Sequence, residues 1–203
     1  GPLAGELLCL SNSSGAVHVV LRQTTTPATL GALYPLPLAE LPAGSCRGRF
    51  NPADGHLYVC GLGDLTGQGA ASGGFYRIRA TGSPIALPIE LGASDEGLTI
   101  TFSEPLERKS ATDWRNYAAA RWSYRRTAQY GSDRYRVSDP RRRGRDRLRV
   151  EDVRLSGDKR TVLVRFAEMP ATDQMRLQLN LKTERGDQVR HTIHFTCDAP
   201  GDG

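Results

Sequence analysis

Apolar residues in this chain recur at every second position, in short runs separated by turn-forming clusters, and hardly anywhere with the spacing of a helix. Leu7–Leu10 is the first run, Ser11-Asn12-Ser13-Ser14-Gly15 turns the chain, and residues 16–22 set Val17, Val19 and Leu21 against His18, Val20 and Arg22. The two runs predict a hairpin. Between Thr24 and Leu41, Pro27, Pro35 and Pro37 each remove a ladder donor, so that stretch reads as loop and sheet edge. Asn51-Pro52 and Asp54-Gly55 then stand between two β segments that end at Phe50 and Cys60. Proline pre-sets the turn and Asp-Gly supplies the positive backbone angles of a tight hairpin. The glycine-rich residues 61–74 read as a long loop before a strand over 75–79.

Around Gly82-Ser83-Pro84 the pattern changes, which places a boundary between residues 1–82 and 83–203. Beyond it, Leu98, Ile100 and Phe102 alternate cleanly on one face, Ser103-Glu104-Pro105 turns the chain, and residues 110–117 read as a capped short helix or turn. Trp114 and Tyr117 are expected to pack as core or rim under that turn. Strand patterns follow over 148–155, 161–166, 175–181 and 189–195, with turns at Ser156-Gly157-Asp158 and 184–187. Short strands at this spacing predict an all-β chain, with an antiparallel β-sandwich over 85–197.

Composition narrows the classes. At 203 residues, 38% hydrophobic and 24% charged, the chain can bury a core and is not of disordered composition. No apolar run approaches the length of a membrane helix, and no stretch has the three regions of a signal peptide, so no membrane insertion is expected. The chain begins within an apolar strand pattern, which reads as a piece of a longer protein. Of its 27 basic residues 24 are arginine, and the net charge is +5. Arginine pairs flat with carboxylate or phosphate, so a basic surface here points to anions. Cys9, Cys46, Cys60 and Cys197 lack CxxC spacing and the CxxCH of covalent haem, which excludes a zinc ribbon and attached haem; in an exported protein they read either as bridges or as buried thiols.

The most distinctive stretch is residues 121–147, an insertion into the sandwich pattern. Trp122, Tyr124, Tyr130 and Tyr135 are interleaved with Arg121, Arg125, Arg126, Arg134 and Arg136, and Arg141-Arg142-Arg143-Gly144-Arg145 follows. Long insertions without apolar periodicity often carry function. Trp122, Tyr124, Tyr130, Tyr135, Arg125, Arg126 and Arg134 are therefore the candidate ligand-binding residues. Four readings fit them: aromatic platforms and arginines for a polysaccharide or other anionic polymer, base stacking and phosphate contacts for nucleic acid, a loop pinned to its own sandwich by Arg on aromatic faces with Asp133, Asp139 and Asp146, or docking to a neighbouring domain or protein. Acidic residues accompany the arginines and no nucleic-acid motif is present, which disfavours the second.

Elsewhere the chemistry is sparse. Gly61-Leu62-Gly63-Asp64-Leu65-Thr66-Gly67-Gln68-Gly69 lacks the Gly-Lys-Ser/Thr ending of a phosphate loop. His191 and His194, three apart in a strand, point to opposite faces and cannot share a metal. His18 and His56 read as structural. Asp95, Glu96, Glu104 and Glu107 have no calcium-loop spacing. No catalytic residue, cofactor or metal is assigned.

Two blocks carry a resemblance. Arg47-Gly48-Arg49-Phe50-Asn51-Pro52, Asp54-Gly55-His56-Leu57-Tyr58-Val59-Cys60-Gly61-Leu62 and Gly73-Gly74-Phe75-Tyr76-Arg77 resemble the last blade of the sugar-dehydrogenase-type β-propellers of large exported bacterial proteins. Residues 98–106, Thr112-Asp113, Asn116-Tyr117, Arg121-Trp122-Ser123-Tyr124-Arg125 and Tyr130-Gly131-Ser132 resemble the immunoglobulin-like module that follows such a propeller, in chains that also carry c-type cytochrome modules. The resemblance implies a propeller-blade-like set of hairpins over 1–82 and an immunoglobulin-like sandwich over 83–203. It implies a secreted or periplasmic, non-catalytic accessory module, with neighbouring propeller or cytochrome domains as partners. The other blades, any CxxCH and the propeller's cofactor ligands are missing here, so no catalytic or haem residue carries over.

Overall fold

The computed structural model describes residues 5–12, 14–22, 31–39, 41–63, 72–94, 96–168 and 172–197. The described chain is all-β and antiparallel, as the alternation predicts, and its contacts separate it into two units. The first holds residues up to Val20 together with Tyr34–Pro84. The second holds Ile85 onward together with Leu21, Arg22 and Gly31–Leu33. The division at Pro84 lies beside the change of pattern in the sequence. The assignment of Leu21, Arg22 and Gly31–Leu33 does not follow chain order, because β pairing links residues by register and not by position along the chain.

In the first unit, β1 (Leu7–Leu10) pairs with β2 (Val17–Arg22), the hairpin that the alternation implies. A second sheet is a three-stranded meander of β4 (Gly44–Phe50), β5 (Leu57–Leu62) and β6 (Gly73–Ile78). A propeller blade is a four-stranded sheet, whereas this meander has three strands among the described residues. Val17, Leu57 and Val59 form the unit's core, with Leu8, Leu10, Leu36, Leu41 and Ile78 packed against them. The β4–β5 connection is wider than a two-residue turn: Asn51 N–H donates to His56 O, Gly55 N–H donates to Asn51 O, and Gly55 has φ +69° while Asp54 does not adopt a positive φ. Asp54 instead accepts from His56 N–H with its side chain. The proline-marked stretch, read as loop and sheet edge, contains a strand, β3 (Gly31–Pro35), that is not an edge but has a strand on each side, and it ends on its proline, where a missing donor costs least.

In the second unit, one sheet runs β12 (Val150–Leu155), β13 (Thr161–Phe166), β8 (Gly97–Phe102), β7 (Pro88–Ser94). Leu98, Ile100 and Phe102 are wholly buried, together with Val162 and Val164 on β13. Gly97 opens β8 with φ +138°, and a Cβ there would collide with the Val164 carbonyl, so only glycine fits. The other sheet centres on β14 (Thr172–Lys182), which pairs on one side with β15 (Gln188–Cys197) and on the other with β9 (Tyr117–Tyr124). Residues Ala32 and Leu33 of β3 pair with β15. The inward faces carry Met175, Leu177, Leu179 and Leu181 of β14 with Val189, Ile193 and Phe195 of β15, all buried. A short helix, α1 (Arg108–Ala111), packs on β14 and β12, and a 3-10 turn over Trp114–Asn116 is capped by the Asp113 side chain, which accepts from Arg115 N–H. Tyr117 is buried and donates to Ala111 O at 2.7 Å, as a residue under the turn should. Trp114 is a rim residue and not core: it is half exposed, with the Arg115 guanidinium over its ring at 5.1 Å.

His191 lies on the inward face of β15 and is buried, its Nε2 2.9 Å from Ala86 O. Burial pushes its pKa down from 6.5, against the opposing hydrogen bond to Ala86. The folded chain therefore holds the proton less tightly than the unfolded chain. Stability is full above pH 6.5 and falls as the pH drops from there toward the folded pKa. His18, also lowered by desolvation, adds to the same slope. Each unit of difference is worth about 1.4 kcal/mol. Urea unfolding at pH 7 and pH 5 should show the native chain less stable at pH 5. His191→Gln should flatten that difference, and an unchanged slope in the variant would exclude His191 as its source.

Candidate functional site

The insertion leaves the sheet at the end of β9 and returns to the same strand. β10 (Arg134–Tyr135) pairs with Tyr124 and Ser123, and β11 (Asp146–Leu148) pairs with Arg121, Ala120 and Ala119. Between β10 and β11 the chain makes a small excursion closed by the Tyr135–Arg143 bridge, by Arg136 N–H donating to Arg142 O and by Gly144 N–H donating to Arg134 O. Gly144 sits at φ +134°, where its missing side chain leaves room for the Arg136 side chain.

Alternation along β9 sends Tyr117, Ala119 and Arg121 to the sandwich interior and Trp122 to the opposite side, the side of Arg176 and His194. Trp122 is nevertheless only 1% exposed. The Arg134 and Arg145 guanidinium groups stand over its ring at 5.2 and 4.9 Å, and His194 meets it edge-on at 6.1 Å. Each such cation–π contact contributes about 0.5–1 kcal/mol where exposed and about 2 kcal/mol where shielded from water. Trp122 therefore offers no open face to a sugar ring, and the expectation of a Trp122 platform is corrected: the arginines meant to flank a ligand cover the ring themselves.

The other candidates divide in the same way. Arg125 stacks on Tyr135 at 4.0 Å and donates to Pro140 O, and its backbone N–H donates to Ser132 Oγ. Tyr135 is thus occupied by its own neighbour. Arg126 pairs with Asp173 at 3.1 Å but remains almost fully open to solvent. Tyr124 is 39% exposed, and Tyr130 is fully exposed at the tip. Asp133 pairs with Arg143 at 3.0 Å. Asp139 caps the turn by accepting from Arg141 N–H. Burial alone would raise the Asp146 carboxyl, but hydrogen bonds from Ser138 and Val137 and the charge of Arg121 outweigh it and hold the group below its ordinary value. Ser138 Oγ donates to it at 2.7 Å. The excursion is therefore preorganised from within.

Charge is concentrated here. Residues 125–147 carry nine arginines against three aspartates, more net positive charge than the whole chain has. Arg141 and Arg142 are exposed and have no ion pair among the described residues. Arg121, by contrast, points inward and is 9% exposed, with Glu168 at 3.7 Å. Its inward position follows from the parity of β9, a signal present in the sequence but legible only once the register is known.

Among the described residues no group of three or more His, Cys, Asp and Glu side chains is placed to hold a metal ion, and no helix is long and apolar enough to cross a membrane. Cys9, Cys46 and Cys60 are free thiols and exposed, neither bridged nor buried, while the Cys197 side chain lies outside what is described. Most of the 61–69 loop, and Asp95 of the acidic group, also lie outside the described residues.

No family model matches the chain, and no curated protein matches it. A solved structure, that of surface layer protein SbsC, domains 1-6, aligns at 17% identity over 51% of this chain with a TM-score of 0.35; the aligned part is 12% of that chain.

Trp122→Ala should destabilise the protein by about 3–5 kcal/mol, the range for a buried large aromatic, whereas Tyr130→Ala should stay within about 0.5 kcal/mol of the native value. Equilibrium urea unfolding of the two variants measures both. Equal, small effects would mean that the ring is not part of the packed structure.

Proposed function

We propose that this chain is a non-catalytic accessory module of a larger exported bacterial protein, and that it holds an anionic polysaccharide through the arginine excursion. The observation that carries the reading is the separation of labour inside the excursion. Arg125, Arg134 and Arg145 are spent on Tyr135 and Trp122, while Arg126, Arg141, Arg142 and the Tyr130 ring face solvent on a scaffold that is already rigid. The backbone that carries these arginines is held by its own hydrogen bonds, and each guanidinium can meet a carboxylate or sulfate through two parallel hydrogen bonds, so the scaffold favours binding. Two platform rings are closed, which points the site toward charged rather than neutral glycans.

A second reading is a connector between a propeller dehydrogenase-like domain and cytochrome c domains, with the excursion as an interdomain contact. The same internal fastening favours it, since a spacer needs rigidity and no ligand.

Retention on immobilised polygalacturonate, its neutral methyl ester and single-stranded DNA at two salt concentrations separates the readings. Binding to the acidic glycan that weakens at least tenfold in Arg141→Ser/Arg142→Ser supports the first. Absence of binding to every polyanion at low salt supports the connector.

A further inference from the structure

The β4–β5–β6 meander has a second face that the core does not use. Register places Arg49, Tyr58 and Arg77 in one row across the three strands and Arg47, Cys60 and Phe75 in the next. Side chains two residues apart share a face, so these six lie on the side opposite Leu57 and Val59, which fill the core. The row beyond them adds Leu62. Phe75 is 73% exposed and Leu62 65%, unusual for a soluble sheet face, and the rings of Tyr58 and Phe75 pack on each other with centroids 5.8 Å apart and planes 26° from parallel. A stacked aromatic pair thus sits between three exposed arginines. Among the described residues no carboxylate stands in these rows; Asp54 lies at the hairpin end, where Tyr58 Oη–H donates to it at 2.8 Å.

From this arrangement we infer that the outer face of the meander is a binding platform for an acidic polysaccharide, separate from the arginine excursion. The apolar pair takes the C–H face of a sugar ring, and Arg49 and Arg77, each about one strand spacing of roughly 4.8 Å from Tyr58, take carboxylates carried on neighbouring sugars. Charge complementarity selects an anion, and the ring pair selects a ligand built of rings. Single-stranded nucleic acid fits less well. Successive bases need separate open aromatic faces, whereas Tyr58 and Phe75 each spend one face on the other.

The inference extends the proposed function to a second site, and it stands or falls independently of the excursion because its variants leave residues 121–147 untouched. The full chain is titrated with polygalacturonate, with its methyl ester and with a single-stranded DNA oligomer, and circular dichroism confirms that each variant is folded. Phe75→Ala and Arg49→Ser/Arg77→Ser should each weaken polygalacturonate binding at least tenfold, should do so equally in an Arg141→Ser/Arg142→Ser background, and should leave melting temperatures near the native value. The methyl ester should bind far more weakly than the acid. Folded Phe75→Ala with undiminished affinity overturns the platform, as does DNA binding of equal strength with the same dependence on Phe75, which would make the face a nucleic-acid surface.

Discussion

Register in β14 is the constraint on which the sandwich depends. The strand is paired along both edges, and Met175, Leu177, Leu179 and Leu181 all face inward and are buried. Burial of four such side chains stabilises the fold by roughly 6–12 kcal/mol, comparable to the whole net stability of a domain. A slip of one residue against either neighbour would turn every one of them to the opposite face. Everything else in the unit is placed from this strand. β15 brings His191 inward against Ala86 O, and β9 receives a parity that sends Arg121 in and Trp122 out.

That parity creates the problem the insertion solves. A tryptophan on the outer face of a sheet would expose a large apolar area, and here the chain between β9 and β11 folds back and covers it with two guanidinium groups. Arginine suits the task because its planar, weakly hydrated head group stacks on an aromatic face while its N–H edge stays available to water or carbonyls. The cover is itself fastened by the Asp146–Ser138 hydrogen bonds and the Tyr135–Arg143 bridge. What stays exposed on such a fixed frame is a dense cationic surface, and that surface is the chemical basis of the proposed anion binding.

The meander shows the opposite use of the same residue types. Arg49 and Arg77 flank Tyr58 in a row across the sheet, yet among the described residues no guanidinium stands over Tyr58 or Phe75, and Arg49 Nη1 donates instead to Gly48 O. Arginine beside an aromatic in the sequence is therefore ambiguous. Arg134 and Arg145 close Trp122 and Arg125 closes Tyr135, whereas Arg49 and Arg77 leave the Tyr58–Phe75 pair open.

Alternation alone determined most of the strands: Leu98, Ile100 and Phe102, the runs that became β13, β14 and β15, and the Leu7–Leu10 hairpin were legible because a half-buried strand must repeat every two residues. The strand at Gly31–Pro35 was not: its prolines read as loop and sheet edge, whereas the strand has a neighbour on each side, a long-range pairing that composition does not show. The candidate stretch 121–147 was visible as a break in the pattern, and Arg on aromatic faces was one of its readings, yet which rings are closed was not legible. Whether Trp122 is open or covered depends on which face β9 turns outward and on where the insertion folds, and both follow from pairing between residues far apart in the chain. The platform at Tyr58 and Phe75 was hidden for the same reason: its members lie on different strands, and only the register of the meander makes them neighbours.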